Sequence, residues 1–284
     1  MPLDEAKAAA IEHDYIDRPL VHGKAWKEMG HRYAAGTLGL LILFIAITAW
    51  VNRNQDHQPV TVPIILLALV IFQALLGMWT VTLLLKPVIV MAHLLGGLTI
   101  LSLLYWLFLR QRAAKKIDVP SGKFRAWVVT ALVLVVVQIS LGGWTSSNYA
   151  ALACPDFPTC QNQWWPAMDF EEGFKLWRGT GVDYEGGILS GQARTAIHMS
   201  HRIGAMLVLL VVGALALRAA RDNNRQIANT GKVLGILLFT QIGLGITNVV
   251  HFLPLLVAVA HNGVAALLLL CLVTLLNYAV PEQQ

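Results

Sequence analysis

Seven apolar runs, separated by short polar or basic segments, dominate the pattern of residues along the chain. Each run is roughly 18 to 25 residues long, the length that a helix needs to cross about 30 Å of hydrocarbon. The predicted spans cover residues 30–50, 60–85, 88–109, 126–146, 195–217, 233–250 and 255–278. The pattern therefore predicts an all-α polytopic membrane protein with seven transmembrane helices in this chain.

The few charged residues set the predicted topology. Only 13% of residues are charged and 56% are hydrophobic, a balance that differs from that of soluble domains. Basic residues cluster in two loops on the same side of the bilayer, 110–125 and 218–232. Because loops rich in Lys and Arg stay in the cytoplasm, the C-terminus is predicted to be cytoplasmic and the long loop 147–191 external. The net charge of +5 thus reflects topology, and we expect no nucleic-acid partner.

The cysteines have two different settings. Cys154 and Cys160 lie close together in the external loop, where an oxidising compartment favours a disulfide. Cys271 lies in an apolar run, where a single cysteine usually packs as a small hydrophobic residue. We therefore predict one disulfide and one packed thiol.

A short sequence is nearly repeated, since Met29–Ala35 and Met199–Ala205 each place a His-Arg pair at the start of an apolar run. A second histidine follows the first by 62 residues in the earlier copy and by 60 in the later one. The four histidines of this set are His31, His93, His201 and His261. The matched spacing predicts that the chain consists of two related halves, each with one site.

The halves are predicted to be residues 1–125, with three helices, and 126–284, a four-helix bundle that carries the loop 147–191. A Gln-x-x-Leu-Gly pattern recurs in both halves, beginning at Gln73, Gln138 and Gln241. Seven helices in a pseudo-two-fold repeat of four-helix bundles indicate an eight-helix parent. We therefore expect a further helix and outer loop before the first apolar run.

Histidine within a membrane span is costly, faces the protein interior and usually has a function. The predicted topology places all four histidines at similar depth in alternate helices, so each half could supply one axial pair to a haem iron. Glycines follow each histidine and would leave room for a porphyrin, namely Gly36, Gly96, Gly97, Gly204 and Gly263. The alternative is that the histidines pack structurally and the glycines serve helix–helix contact.

Polar neighbours distinguish the two halves. Arg32 and Arg202 adjoin a histidine and could hold haem propionates, or could instead extend to the membrane interface. Glu28 and His198 occupy equivalent positions three residues before a histidine, and His198 is predicted to contact the cofactor of its half. A carboxylate can accept a proton or stabilise a developing cation, so the first half is predicted to carry the chemistry. The second half would store or pass electrons, while Glu28 could also be an ordinary interfacial acid.

Three segments together resemble the haem A synthase family of proteobacteria and mitochondria, over essentially the whole chain. They are Lys24-Ala-Trp-Lys-Glu-Met-Gly-His-Arg-Tyr33, Ala153-Cys-Pro-Asp-Phe-Pro-Thr-Cys160 and His198-Met-Ser-His-Arg202. The resemblance implies oxidation of the C8 methyl group of haem O to a formyl group by successive hydroxylations, for cytochrome oxidase. The family normally begins with one more helix and outer loop, so we expect this chain to be truncated or to have been assigned a late start.

The resemblance also implies roles for the site residues. His201 and His261 would hold a permanent haem b, while His31 and His93 would flank the substrate haem O with Glu28 assisting. Cys154 and Cys160 would form the outer-loop disulfide. The implied location is the bacterial inner membrane, with the cysteine loop periplasmic. A haem O synthase and an electron-transfer protein are candidate partners beside membrane lipid, and a homo-oligomer stays open.

Two other functions fit parts of the sequence. A di-haem electron-transfer cytochrome would bind haem in both halves without changing it, but would not need the difference between Glu28 and His198. A transporter built from repeats would use the histidines to line a substrate or proton path. No predicted span has the mid-helix break that such transporter sites use.

Overall fold

The computed structural model describes residues 22–56, 58–111, 122–179 and 181–280. Its helices are α1 (His22–Val51), α2 (Thr61–Thr82), α3 (Pro87–Gln111), α4 (Gly122–Ser147), α5 (Phe170–Gly173), α6 (Gly191–Ala220), α7 (Arg225–Val250) and α8 (Leu255–Ala279). Within these ranges, seven helices are long and apolar enough to cross a membrane, and only the short α5 is not. The prediction of an all-α protein with seven spans is confirmed.

The surface of these helices is suited to lipid. Large apolar side chains stay exposed along the spans, including Phe44 at 66%, Leu210 at 67% and Phe239 at 70%. Continuous exposed apolar surface of this kind is rare on soluble monomers and marks a membrane-facing or binding surface. The chain is therefore a multi-pass membrane protein.

The chain divides into two compact units, with the boundary after Leu67 inside α2. In the first unit, α1 buries a stripe of small and branched residues at helical spacing, formed by Ile42, Ala46 and Ala49. Most of its other side chains are exposed. The predicted division between residues 125 and 126 rests on the sequence repeat, and it stays a prediction.

The second unit contains a four-helix bundle in which α4, α6, α7 and α8 pack as successive neighbours, with α3 against α4 and α8. An apolar core fills the half of this bundle that lies away from the cysteine loop, residues 147–191. Its fully buried members include Phe124 and Val128 of α4, Val212 and Leu215 of α6, Leu234 and Leu238 of α7, and Leu272 and Leu275 of α8. Cys271 lies in this core, as predicted for a packed thiol.

The α6–α7 crossing depends on one glycine. A methyl group on Gly231 would lie 2.5 Å from the backbone nitrogen of Ala220 and 2.7 Å from the Ala219 carbonyl carbon. Backbone atoms cannot move aside as a flexible side-chain end can. At Gly235, one turn further along α7, the corresponding methyl would lie 3.8 Å from the Ala216 side chain. Gly231 is therefore required for the close approach of the two helices.

We expect Gly231→Ala to destabilise the protein by about 1–3 kcal/mol, the usual cost of forcing extra volume into a packed interface. Thermal unfolding in detergent measures the effect. Gly235→Ala is the matched control and should leave the melting temperature nearly unchanged. Equal stability of the two variants would contradict the backbone contact.

The cysteine loop packs on the ends of the second-unit helices that lie away from the apolar core. Trp144 at the end of α4 donates its indole N–H to the Gly173 carbonyl at 2.9 Å. Lys86, only 2% exposed, donates to the Gly179 carbonyl at 2.5 Å and lies 3.0 Å from the centre of the Trp177 ring. Burial lowers the pKa of this ammonium group. The loop is thus fixed to the turn between α2 and α3 as well as to α4.

Candidate functional site

At the level where the apolar core ends, all four bundle helices change to histidine, glutamine and glycine. We call this level the histidine layer and define it by Gln138 and Gly142 of α4, His201 and Gly204 of α6, Gln241 and Gly245 of α7, and His261 of α8. Glycines in this layer expose bare backbone, whereas the core half of the same helices carries branched side chains. The histidine layer lies between the core and the cysteine loop.

His201 is held by α4. The amide nitrogen of Gln138 lies 3.0 Å from His201 Nδ1 and donates to the His201 carbonyl at 2.9 Å. A methyl group on Gly142 would lie 3.1 Å from His201 Cε1, so the imidazole packs directly on the bare backbone there. The ring is therefore fixed both by hydrogen bonding and by a surface that only glycine leaves open.

His261 has the same setting, provided by α7. The Gln241 amide nitrogen lies 3.1 Å from His261 Nε2, and a methyl on Gly245 would lie 3.2 Å from His261 Cε1. His201 and His261 lie on α6 and α8, which face each other across the bundle because both helices pack against α4 and α7. The structure thus brings together this predicted pair from α6 and α8.

His93 of α3 repeats the arrangement with α2. The Gln73 amide donates to the His93 carbonyl at 2.5 Å, and a methyl on Gly77 would lie 3.1 Å from His93 Cε1. Gly96 leaves the space that the Gln73 amide oxygen occupies, because a methyl there would lie 2.2 Å from that oxygen. His93 therefore shares with His201 the glycine under its ring and the hydrogen bond to its backbone carbonyl.

In the first unit, His31 and Glu28 lie on exposed turns of α1. Arg32 donates to the Glu28 carboxylate at 2.6 Å, with both side chains more than half exposed. Pairing one turn apart is usual for opposite charges on a helix. The structure thus gives Glu28 a cationic partner that the sequence analysis did not assign to it, while its predicted catalytic role stays a prediction, as does the role of His31 as an iron ligand.

Arg202 and His198 contact the cysteine loop. The Arg202 guanidinium donates to the carbonyls of Cys154 at 3.1 Å, Asp156 at 2.7 Å and Thr159 at 2.8 Å. Its Nε–H donates to His198 Nε2 at 3.2 Å. Four of the five N–H donors of this arginine are therefore used within the protein.

His198 is 4% exposed, and its Nδ1 lies 3.1 Å from the Ala150 carbonyl. Together with Arg202 it fixes the loop above the histidine layer. The sequence analysis offered two roles for Arg202, propionate binding and extension to the membrane interface. Neither role includes the contact of Arg202 with the cysteine loop. The predicted roles of Arg32, Arg202 and His198 as haem contacts stay predictions.

The predicted disulfide between Cys154 and Cys160 is present. Within the loop it closes, the Asp156 carboxylate accepts hydrogen bonds from the Thr159 hydroxyl and from the backbone N–H groups of Gln161 and Asn162. These bonds favour the ionised form and lower the pKa of Asp156, with the Thr159 hydroxyl the largest cause. The carboxylate therefore organises the turn that follows the disulfide.

A lowered folded-state pKa predicts how the loop responds to acid. The contribution of Asp156 is complete above the unfolded-state pKa of about 3.9 and is lost as the pH falls through the lower folded value. We expect the hydrogen-exchange protection of residues 156–162, measured relative to the intrinsic exchange rate at each pH, to fall in that acid range. The Asp156→Asn variant should be less protected already at neutral pH and lose this pH dependence. Unchanged protection in the wild type across the same range would contradict the contact.

The residues of the histidine layer fit a haem. Imidazoles are usual axial ligands of haem iron, and they approach here from facing helices. The glycines under the rings let each imidazole pack directly on the neighbouring helix, which holds the ring in place. His261 Nδ1 and the amide oxygens of Gln138 and Gln241 are buried with no hydrogen-bond partner among the described residues. Such atoms mark a site whose hydrogen bonding is incomplete without further groups.

Sequence reasoning identified the histidines but not the side chains that hold them. The Gln-x-x-Leu-Gly pattern served there as evidence for a repeat, although its three occurrences at Gln73, Gln138 and Gln241 each contact a histidine helix. The signal that could have found them is the four-residue spacing, which places glutamine and glycine on one face of a helix.

Comparison with known proteins agrees with these features. The family model described as cytochrome oxidase assembly protein (COX15-CtaA) matches residues 1–273. A heme A synthase from Shewanella oneidensis is 41% identical over 280 residues, which is 98% of this chain and 83% of that protein. Heme A synthases from Halalkalibacterium halodurans and Caulobacter vibrioides are 27% and 26% identical, covering 89% and 86% of this chain and 78% and 70% of their own lengths. The chain therefore belongs to the COX15-CtaA family of cytochrome oxidase assembly proteins, as a member similar to heme A synthases.

Proposed function

We propose that this protein is a haem A synthase, an oxidoreductase that converts the C8 methyl group of haem O to a formyl group. Methyl-to-aldehyde oxidation adds one oxygen atom and removes four electrons, so an external electron acceptor or donor is required. The observation that carries this proposal is the 41% identity to a heme A synthase over 98% of the chain. The histidine layer supports it independently, because it holds two imidazoles on facing helices that could ligate a haem iron.

The second half is proposed to hold a haem b through His201 and His261. When bound, this haem supplies electron storage and transfer. The protein's own contribution is to fix both imidazoles and to leave glycine surface beside them. The loop attached by Arg202 covers the layer on the side away from the core, which limits access of water.

The first half is proposed to hold haem O as substrate, with His31 and His93 as the flanking histidines and Glu28 as the proton acceptor. This assignment rests on the sequence resemblance. The Glu28 carboxylate can take up a proton at an oxygen, and the adjacent Arg32 guanidinium donates to it at 2.6 Å and orients it.

The difference between the two halves favours an enzyme over a di-haem electron-transfer cytochrome. At equivalent sequence positions, Glu28 is exposed and paired to Arg32, whereas His198 is buried and bound to the cysteine loop. A protein that only passes electrons between two equal sites does not need this difference. We further propose that the cysteine loop is periplasmic in the bacterial inner membrane and the C-terminus cytoplasmic, and that a haem O synthase delivers the substrate.

Co-expression with a haem O synthase, followed by haem extraction and mass analysis, tests the function. We expect haem A in cells that express both proteins and haem O alone in cells without this chain. Bound haem b together with unaltered haem O would favour the electron-transfer cytochrome. A colourless purified protein without a Soret band would favour the transporter.

A further inference from the structure

One arrangement of side chains occurs three times among the described helices. In each case a helix with Gln-x-x-x-Gly packs against a helix with a histidine, so that the amide contacts the histidine residue and the glycine lies under its ring. The three sets are Gln73 and Gly77 with His93, Gln138 and Gly142 with His201, and Gln241 and Gly245 with His261. The contacts join α2 to α3, α4 to α6 and α7 to α8.

The distances within the sets agree closely. A methyl group placed on Gly77, Gly142 or Gly245 would lie 3.1, 3.1 or 3.2 Å, respectively, from Cε1 of the histidine in the same set. In two sets a second glycine lies one turn after the histidine, and the amide oxygen packs against its bare Cα. A methyl on Gly96 or Gly204 would lie 2.2 Å from that oxygen. In these two sets the amide is therefore enclosed by atoms of both helices, which gives it a defined position.

The amide oxygens of the three glutamines lack hydrogen-bond partners among the described residues. Gln73 Oε1, Gln138 Oε1 and Gln241 Oε1 are all buried, and no donor from the described residues reaches them. A buried acceptor without a partner costs free energy comparable to a lost hydrogen bond. Three such atoms at the same place in three helix pairs indicate that a donor belongs there in the functional state.

We propose that Gln138 is a positioning residue that fixes the plane and the tautomer of His201 as an iron-binding histidine. This inference rests on the proposed function, since it assigns the donor to a ligated imidazole. A histidine that binds iron through one ring nitrogen carries its proton on the other, and that N–H requires an acceptor. Rotation of the Gln138 amide about its last torsion would present the oxygen to Nδ1 of His201, where the nitrogen now lies at 3.0 Å, and would give up the hydrogen bond that this nitrogen donates to the His201 carbonyl.

Such an acceptor does more than orient the ring. A hydrogen bond from the second nitrogen makes the imidazole a more basic ligand. A more basic ligand favours ferric over ferrous iron and so lowers the midpoint potential of the haem. Gln138 should therefore set the potential of haem b, which packing alone would not do.

The test uses the purified, haem-loaded protein with variants at Gln138. Gln138→Met keeps the length but removes the acceptor, and Gln138→Glu provides a stronger one. We expect the midpoint potential to rise in the first and fall in the second, each by about 59 mV, equivalent to a tenfold change in the ratio of reduced to oxidised haem. The electron paramagnetic resonance spectrum of the ferric haem should also change in Gln138→Met, because the ring loses its fixed orientation.

Two further variants keep the test decisive if Gln138→Met binds haem poorly. Gly204→Ala leaves the glutamine intact but displaces its amide, and should raise the potential as Gln138→Met does. Ser140→Ala, which removes a hydroxyl bonded only to the Val136 carbonyl on the same helix, is the matched control and should not alter the potential.

Shifts in the same direction for Gln138→Met and Gln138→Glu, or unchanged potentials with haem bound, would overturn the positioning role. The readout is the haem b itself and does not require conversion of haem O. A protein that makes haem A but shows no response at Gln138 would therefore refute this inference alone. A wild-type protein that binds no haem would refute the proposed function as well.

Discussion

Replacement of His201 by alanine is expected to remove haem b from the purified protein. The ring of His201 is the α6 member of the histidine pair, and alanine provides no ligand and leaves a gap above Gly142. Loss of groups that merely support a metal ligand costs about 10- to 100-fold in affinity, so loss of the ligand itself should cost at least as much. His261→Ala should have the same result, because either substitution leaves only one axial ligand in the layer.

The measurement is the ratio of haem to protein, from the pyridine haemochrome spectrum, together with the Soret band. His251→Ala is the matched control, since His251 is an exposed residue that follows the last turn of α7. It should leave the ratio unchanged. Full haem occupancy in both His201→Ala and His261→Ala would show that the layer is not the haem b site.

Haem A production is expected to fall below detection in His31→Ala and in Glu28→Gln, while haem b stays bound. The glutamine is close in size to Glu28 but cannot accept the proton, and it replaces the ion pair to Arg32 by a weaker neutral contact. General acid–base catalysis contributes about 10²–10⁴-fold, so a loss of this size is expected from the carboxyl group alone.

Haem extraction from cells that also express a haem O synthase measures this effect, and Glu171→Gln in the cysteine loop controls for removal of an exposed acid. Retained haem A synthesis in both His31→Ala and Glu28→Gln would refute the assignment of the reaction to the first half. Simultaneous loss of haem b would show instead that the substitutions disturb the whole protein.

Much of the architecture follows from local sequence. Each span was predictable because a transmembrane helix satisfies its own backbone hydrogen bonds and needs only an apolar run of sufficient length. Six of the seven described spans extend beyond at least one predicted end, as α7 does by beginning at Arg225 rather than at residue 233, whereas α2 is shorter than predicted at both ends. Polar residues at a helix end lie outside the hydrocarbon, so hydropathy does not detect them.

The candidate histidines were also predictable, because a titratable ring in an apolar run is expensive and their spacing repeats. The disulfide was predictable from the position of Cys154 and Cys160 in a loop predicted to be external, and the structure confirms it. These features depend on neighbours in sequence or on the bilayer, and neither requires knowledge of which helices pack together.

Only the tertiary structure decided what the polar side chains contact. Arg202 reaches carbonyls 43 to 48 residues away in the chain, and Gln138 reaches a histidine 63 residues away. It also showed that the bundle is divided into an apolar core and a histidine layer. Contacts of this kind depend on helix order and rotation, which are set by the joint packing of four helices. The sequence by itself determined the spans, the repeat and the candidate ligands, while packing determined which residues hold those ligands in place.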